Sequence, residues 1–181
     1  HALFLLHREV GEVVKVSPLY ESPAWGFSSE PFYNICVELH TDLSLEVLLP
    51  KLHAIEARLG RVRSTQPSAG YKSRTLDIDI LYYGDKVVQT DTLCVPHPQL
   101  ALRRFVLQPL ADIAPNFVDP AKGQTITQLL EACPDTASLT LVKQDFALPV
   151  KKPTIPYRYI TIEGNIGVGK TSLATRLAED F

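Results

Sequence analysis

The 181-residue sequence has no methionine, a single tryptophan and only three cysteines. Without a methionine it cannot begin at its own initiator, so we expect natural residues before His1. It also lacks any apolar run close to the ~20 residues of a membrane-spanning helix, and no signal-peptide pattern opens it. We therefore expect no membrane partner.

An excess of charge of one sign is lacking too, because 18 lysines and arginines stand against 20 aspartates and glutamates. Nucleic-acid-binding domains usually carry a basic excess, so we expect small-molecule partners and no nucleic acid. Cys36, Cys94 and Cys133 lie far apart, without the spacing of a metal site or a disulfide framework. They predict free thiols in a reducing compartment, and hence a cytoplasmic protein.

The hydrophobic periodicity predicts a mixed chain of helices and strands. Alternating apolar residues predict four strands, over 12–20, 33–40, 75–83 and 138–142. Helical spacing predicts four helices, up to residue 11 and over 44–60, 103–111 and 125–133. Ser44 and Gly60 suit the two ends of the second helix, which Pro50 should kink or restart.

The most informative motif runs from Arg74 to Leu81, where two carboxylates lie two residues apart among apolar side chains. In a strand, Asp77 and Asp79 share one face and the intervening apolar residues share the other. Proteins commonly bind Mg²⁺ through one or two carboxylates together with substrate phosphates. Such a pair alone is more often the solvated face of an edge strand, but its surroundings favour a metal site.

Basic residues surround this motif in the sequence: Arg61, Arg63, Lys72, Arg74, Arg103 and Arg104. Each alone is more simply a solvated surface charge. Six together suit a polyphosphate, whose oxygens arginine binds in fork geometry. His97 lies between Pro96 and Pro98, which suits a fixed hydrogen-bond donor to phosphate, although a satisfied loop histidine explains it equally well.

Aromatic residues at loops or element ends can stack on a flat heterocycle: Trp25, Phe32, Tyr71 and Phe105. Asn34 can pair with the amide-like edge of such a ring. Core packing is the alternative interpretation of all these residues. The sequence therefore predicts a possible heterocycle pocket beside the phosphate site.

These motifs resemble the 6-hydroxymethyl-7,8-dihydropterin pyrophosphokinase family over residues 1–143. The resemblance rests on the segments Pro31-Phe32-Tyr33-Asn34, Ile55-Glu56, Gly60-Arg61-Val62-Arg63, Arg74-Thr75-Leu76-Asp77-Ile78-Asp79-Ile80-Leu81, Val95-Pro96-His97-Pro98 and Arg103-Arg104-Phe105. It implies a ferredoxin-like α+β sandwich, ATP as co-substrate with two Mg²⁺ ions, and an enzyme of folate biosynthesis. The implied reaction transfers diphosphate to the hydroxymethyl group of the pterin and releases AMP.

The resemblance also implies a role for each site residue. The catalytic group comprises Arg61, Arg74, Asp77 and Asp79, and its two aspartates are the metal ligands. The ATP-binding group comprises Glu56, Arg63, His97 and Arg103. The pterin-binding group comprises Ser22, Pro23, Trp25, Phe32, Asn34, Tyr71 and Phe105. Because the family begins with a strand and a glycine-serine-asparagine loop that this sequence lacks, we expect a weakly stable sandwich without its first strand and with little activity.

The sequence changes character after residue 143. Residues 144–157 have the proline- and lysine-rich composition of a linker. Residues 158–181 predict a strand, a phosphate-binding loop and the start of a helix. The loop pattern consists of Gly164, Gly167, Gly169, Lys170 and Thr171. This segment resembles the truncated opening of a deoxynucleoside kinase, an α/β protein.

Three functions therefore remain open. A pterin pyrophosphokinase releases AMP. A parent protein that acts mainly as a deoxynucleoside kinase releases ADP. A catalytically inactive nucleotide-binding module releases neither, but ATP stabilises it.

Overall fold

The computed structural model describes residues 1–23, 31–61, 76–146 and 148. The elements in this part of the chain are α1 (Ala2–Glu9), β1 (Glu12–Val16), β2 (Leu19–Ser22), β3 (Phe32–Asn34), β4 (Val37–His40), α2 (Leu45–Arg58), β5 (Val88–Gln89), β6 (Cys94–Val95), a 3₁₀ turn (Leu100–Leu102), α3 (Arg104–Ile113), α4 (Ile126–Glu131) and β7 (Thr140–Lys143). None of the helices described here combines the length and apolar character that a membrane crossing requires.

The chain divides into two units, His1–Lys151 and Lys152–Phe181, and every described residue belongs to the first. The predicted phosphate-binding loop and most of the predicted linker lie outside the described residues. The boundaries predicted for the two domains therefore stay predictions.

The described strands form three small antiparallel sheets. Strand β1 pairs with β4, β2 lies between β3 and β7, and β5 pairs with β6. The mixed α/β composition is therefore confirmed, while the single ferredoxin-like sandwich stays a prediction.

The strands predicted over 12–20 and 33–40 are each broken in two, and this part of the prediction is wrong. The first break falls at Ser17 and Pro18, because proline has no N–H to donate to a sheet. Ser17 is fully buried, and its backbone N–H donates to the Cys36 carbonyl at 2.9 Å. The Ser17 hydroxyl accepts from the Cys36 N–H, also at 2.9 Å. The segments 12–22 and 32–40 therefore pass between the sheet of β1 and β4 and the sheet of β2 and β3 at the same level.

Helix α2 confirms the predicted helix over 44–60 and runs without interruption through Pro50, so the alternative of a restarted helix is wrong. Ser44 is its N-cap, and Gly60 follows with a φ of 95°, a conformation that favours glycine. Its buried side chains include Leu48, Leu52 and Ile55, which follow the helical period. They join α1 and β1 in one apolar core.

No strand is assigned in the described residues 76–83, so the strand predicted over 75–83 is wrong there. Backbone groups of this segment bond outside any sheet: the Ile78 N–H donates to Glu56 Oε1 at 2.7 Å, and the Leu81 carbonyl accepts from the His97 N–H at 3.0 Å. The predicted alternation is confirmed, because Asp77 and Asp79 are more exposed than Leu76, Ile78 and Ile80, which alternate with them. The two carboxylates therefore share a side of the chain without a strand.

Helices α3 and α4 confirm the last two predicted helices and form a second apolar core. Its buried residues are Cys36, Leu100, Leu107, Leu110, Ile126 and Leu129. Thr125 starts α4 with a capping box, in which Gln128 reaches back to the Thr125 N–H at 2.9 Å. Strand β7 confirms the predicted final strand; it begins two residues later and ends one residue later than expected.

Candidate functional site

The last turn of helix α2 carries a buried carboxylate, Glu56, which contacts the segment of the two predicted metal ligands. Glu56 is 1% exposed, and its carboxylate contacts the guanidinium of Arg61 and accepts from the Ile78 N–H. A buried charge is stable only when it is paired and hydrogen-bonded. Glu56 therefore connects α2 to Arg61 and to the segment that carries the two aspartates.

The aspartates lie on the exposed side of this connection. The guanidinium of Arg61, only 13% exposed, also contacts Asp77 Oδ1, so one arginine joins two carboxylates. Burial raises the pKa of Asp79, and the negative charge of Asp77 raises it further. The positive charge that His97 carries when its ring is protonated, and that of Arg103, act in the opposite direction. Two neighbouring carboxylates repel each other, and a bound cation would reduce that repulsion.

The donor set fits Mg²⁺, which takes oxygen ligands and keeps waters and phosphate oxygens as the remainder. Within the described part of the chain, no group of three or more histidine, cysteine or acidic side chains could hold a metal. Asp77 and Asp79 would supply two carboxylates, and substrate phosphates and water would complete the coordination.

The pKa of His97 is lowered, which favours the neutral form of its ring. Burial lowers its pKa, and the nearby Arg103 charge lowers it too, although the carboxylates of Asp79 and Asp77 act against this shift. Its Nδ1 accepts from the Gln99 N–H at 3.3 Å, so the ring proton lies on Nε2. Nε2 is thus a donor in a fixed orientation, and its predicted hydrogen bond to phosphate stays a prediction.

Arg103 lies between the 3₁₀ turn and α3. Its guanidinium donates to the side-chain oxygen of Gln99, and it stacks over the Phe105 ring at 5.7 Å from the centroid. Gln99 is a residue that the sequence reasoning missed. The spacing of four residues between Gln99 and Arg103 is the signal that could have indicated this contact.

The predicted pterin residues lie partly on the hairpin of β2 and β3. In its register, Ser22 is opposite Phe32 and Tyr20 is opposite Asn34. Asn34 Nδ2 donates to the Ser22 hydroxyl at 2.9 Å and to the Phe32 carbonyl at 3.2 Å. Both amide hydrogens are thereby used, and Oδ1 is presented as an acceptor.

Helix α3 packs on this hairpin and contacts both strands. The Tyr20 hydroxyl donates to Asp112 Oδ2 at 2.8 Å, and burial with the Asp112 hydrogen bond raises the Tyr20 pKa to about 12. Tyr20 stays protonated and keeps donating near neutral pH. The hydrogen bond between Tyr20 and Asp112 links α3 to the hairpin that carries Asn34. Because Phe105 lies in the first turn of α3, it belongs to the helix that is fixed in this way.

The structure describes eleven of the predicted site residues in the first domain: Ser22, Pro23, Phe32, Asn34, Glu56, Arg61, Asp77, Asp79, His97, Arg103 and Phe105. It brings Glu56, Arg61 and Asp77 into contact, and it joins Ser22 to Asn34. The others lie outside the described residues: Trp25, Arg63, Tyr71, Arg74 and the loop of Gly164, Gly167, Gly169, Lys170 and Thr171.

Comparison with known proteins gives one family. Residues 1–115 match the family model described as 7,8-dihydro-6-hydroxymethylpterin-pyrophosphokinase. A protein of Synechocystis sp. named 2-amino-4-hydroxy-6-hydroxymethyldihydropteridine pyrophosphokinase is 44% identical over 126 residues, which are 70% of this chain and 63% of that protein. A protein of the same name from Pseudomonas aeruginosa is 43% identical, over 67% of this chain and 73% of its own length.

A longer relative matches as well. The folic acid synthesis protein fol1 of Pneumocystis carinii is 36% identical over 149 residues, or 82% of this chain and 18% of its own length. The chain thus spans 63% and 18% of the lengths of the Synechocystis and Pneumocystis relatives. The family model covers more than half of the sequence, and the chain belongs to the 7,8-dihydro-6-hydroxymethylpterin-pyrophosphokinase family.

Proposed function

We propose that the chain transfers diphosphate from ATP to the hydroxymethyl oxygen of 6-hydroxymethyl-7,8-dihydropterin and releases AMP, a step of folate biosynthesis. The names of its relatives support this proposal. The observation that carries it is the arrangement of Asp77 and Asp79 on one side of the chain, with Arg61 contacting the first aspartate and His97 and Arg103 acting on the charge of the second.

These residues suit phosphoryl chemistry without a covalent nucleophile. Phosphoryl transfer depends mainly on positioning and on neutralising the charge of the phosphate oxygens. Arg61 and Arg103 supply positive charge, and His97 supplies a neutral donor through Nε2. Arg63 and Arg74 complete the phosphate contacts in this proposal.

Asp77 and Asp79 would hold the Mg²⁺ ions, with phosphate oxygens as further ligands. The metal, when bound, neutralises phosphate charge. A metal with Asp77 would leave Arg61 with its second partner, Glu56, so the arginine stays oriented.

For the second substrate, Asn34 presents Oδ1 as an acceptor to the donor edge of the pterin. Phe32 and Phe105 stack on the ring, and Ser22, Pro23, Trp25 and Tyr71 line the pocket. Glu56 acts from beneath the ATP site through Arg61.

The test is chromatography of the nucleotide products after incubation with MgATP and the pterin. It uses the 181-residue chain and the full-length product of its gene. We expect one AMP for each pterin consumed by the full-length protein, little AMP from the 181-residue chain, and loss of AMP in Asp77→Asn of the full-length protein. The matched control is Asp85→Asn, which changes an exposed carboxylate just beyond the same segment. Unchanged AMP formation in Asp77→Asn would contradict the metal assignment.

The phosphate-loop pattern of residues 164–171 favours a second candidate function. In this proposal the natural protein also carries a deoxynucleoside kinase that releases ADP. Lys170→Ala should remove ADP formed with a deoxynucleoside while leaving AMP formed with the pterin. ATP-dependent stabilisation without AMP or ADP from either protein would instead support an inactive nucleotide-binding module.

The cytoplasm is the compartment that we infer for this reaction. The three cysteines are free thiols, and Cys36 is buried with its pKa raised to about 12 by burial. A buried protonated thiol is unreactive, which suits a reducing environment.

A further inference from the structure

Helix α3 begins between two residues of the proposed site. Arg103 is its N-cap residue and Phe105 is the second residue of its first turn. The first N–H groups of a helix have no acceptor within the helix and need one from outside. The side chain of Arg103 provides no cap hydrogen bond, so the acceptor has to come from elsewhere.

The acceptor is a carboxylate 31 residues further along the chain. The Arg104 N–H donates to Asp135 Oδ2 at 2.9 Å, and the Ala137 N–H donates to Asp135 Oδ1 at 2.9 Å. Both carboxylate oxygens therefore accept a hydrogen bond. The bond from Ala137 fixes Asp135 within its own turn, and the bond from Arg104 connects it to the start of α3. A negative charge at this end of a helix is also favoured by the helix dipole.

The fold explains why Asp135 reaches this position. Helix α4 packs on α3 through the buried side chains of Leu107, Ile126 and Leu129. It ends at Glu131, and the chain then turns back toward the start of α3. Asp135 lies beyond residues 1–115, which are the part of the chain that matches the family model.

We propose that Asp135 is a positioning residue of the site. Its carboxylate fixes the peptide group that joins Arg103 to Arg104, and it thereby holds Arg103, proposed to contact phosphate, and Phe105, proposed to stack on the pterin, in one orientation. This inference rests on the proposed function for the roles of those two residues. The hydrogen bond to Arg104 does not depend on it.

The experiment compares Asp135→Asn and Asp135→Ala with the matched control Glu131→Gln, which removes one exposed carboxylate from α4. All three changes are made in the full-length product of the gene. The readouts are KM for ATP, KM for the pterin, kcat, the melting temperature, and hydrogen exchange of the Arg104 amide with Leu107 as internal reference.

We expect Asp135→Ala to raise both KM values on the order of tenfold at a temperature where it remains folded, with a smaller change in kcat. Asp135→Asn keeps one acceptor oxygen and should lie between Asp135→Ala and the wild type. If Asp135→Ala does not fold, Asp135→Asn decides. The Arg104 amide should exchange faster in both variants, while the Leu107 amide and the Glu131→Gln control remain as in the wild type.

A lower melting temperature with unchanged KM values would overturn the positioning role and leave a structural one. Unchanged exchange at Arg104 would overturn the hydrogen bond itself. Absence of AMP formation by the wild type would instead contradict the proposed function, and the exchange measurement would still decide whether Asp135 anchors α3.

Discussion

On its phosphate side the proposed site is held together by charged groups, whereas on its pterin side it is held together by neutral hydrogen bonds. Arg61 contacts the carboxylates of Glu56 and Asp77 on the first side. On the second, the Asn34 amide donates to the Ser22 hydroxyl. Charged pairs in a low-dielectric site are strong and costly to break, while neutral hydrogen bonds contribute about 1 kcal/mol each.

The difference also determines how each side responds to pH. His97 and Asp79 on the phosphate side both have shifted pKa values, and each charge acts on the other group. Ser22 and Asn34 do not titrate. The phosphate side should therefore depend on protonation and on bound cations, and the pterin side should keep its geometry across the same range.

The largest effect is expected from Glu56→Ala. This change leaves the mostly buried Arg61 without its buried partner, and removal of one member of a buried pair costs about 3–5 kcal/mol. The matched control is Glu9→Ala, which breaks the solvent-facing pair with Arg58 and should cost about 0–1 kcal/mol. Urea unfolding measures both. Equal losses would mean that burial does not distinguish the two ion pairs.

Asp79→Asn should separate activity from stability on the phosphate side. Removal of one carboxylate of the proposed metal site should lower kcat about a hundredfold or more. The same change removes a charge whose pKa burial raises, so the melting temperature should rise at neutral pH. AMP assays and thermal melts, with Asp85→Asn as the control, check both signs. A variant that is less stable and fully active would contradict this description of Asp79.

His97 should make stability depend on pH. Because its folded pKa lies below 6.5, the unfolded chain binds more protons than the folded chain as the pH falls below that value. The stability contributed by neutral His97 is therefore present above about pH 6.5 and is lost as the pH falls. Melts between pH 5 and 8 should show this loss in the wild type and a smaller one in His97→Gln.

The neighbouring Asp79 provides the internal test of that prediction. Its negative charge raises the pKa of His97, so Asp79→Asn should lower it further. NMR titration of the His97 ring measures the shift directly. A His97 pKa that does not move in Asp79→Asn would mean that the two groups are not electrostatically coupled.

Local patterns in the sequence predict some parts of the fold and miss others. The helices and the alternation of residues 76–80 follow from local periodicity, and the structure confirms them. Pro18 is a sequence signal for the break at Ser17 and Pro18, but the paired hydrogen bonds between Ser17 and Cys36, 19 residues away, depend on the fold and cannot be predicted from periodicity. The strand over 75–83 failed for the same reason, since a strand requires a neighbour and periodicity alone does not supply one.

For the site, the residue types indicated the chemistry but not the geometry. The aspartates and arginines could be selected by charge, whereas the burial of Glu56 beneath Arg61 required the fold. Gln99 and Asp135 were missed for different reasons. Gln99 carries no charge that attracts attention, and Asp135 reaches the start of α3 only through the packing of α4.

The smallest effect is expected on the pterin side, from Ser22→Ala. The Asn34 amide then loses one acceptor but keeps the Phe32 carbonyl, so the loss is about 1 kcal/mol and KM for the pterin should rise several-fold. Because neither partner titrates, the rise should be the same at pH 6 and pH 8, and KM for ATP should not change. Ser22→Thr keeps the hydroxyl and serves as the control. A pH-dependent rise, or an equal rise in KM for ATP, would mean that the two sides of the site are coupled through the hairpin of β2 and β3.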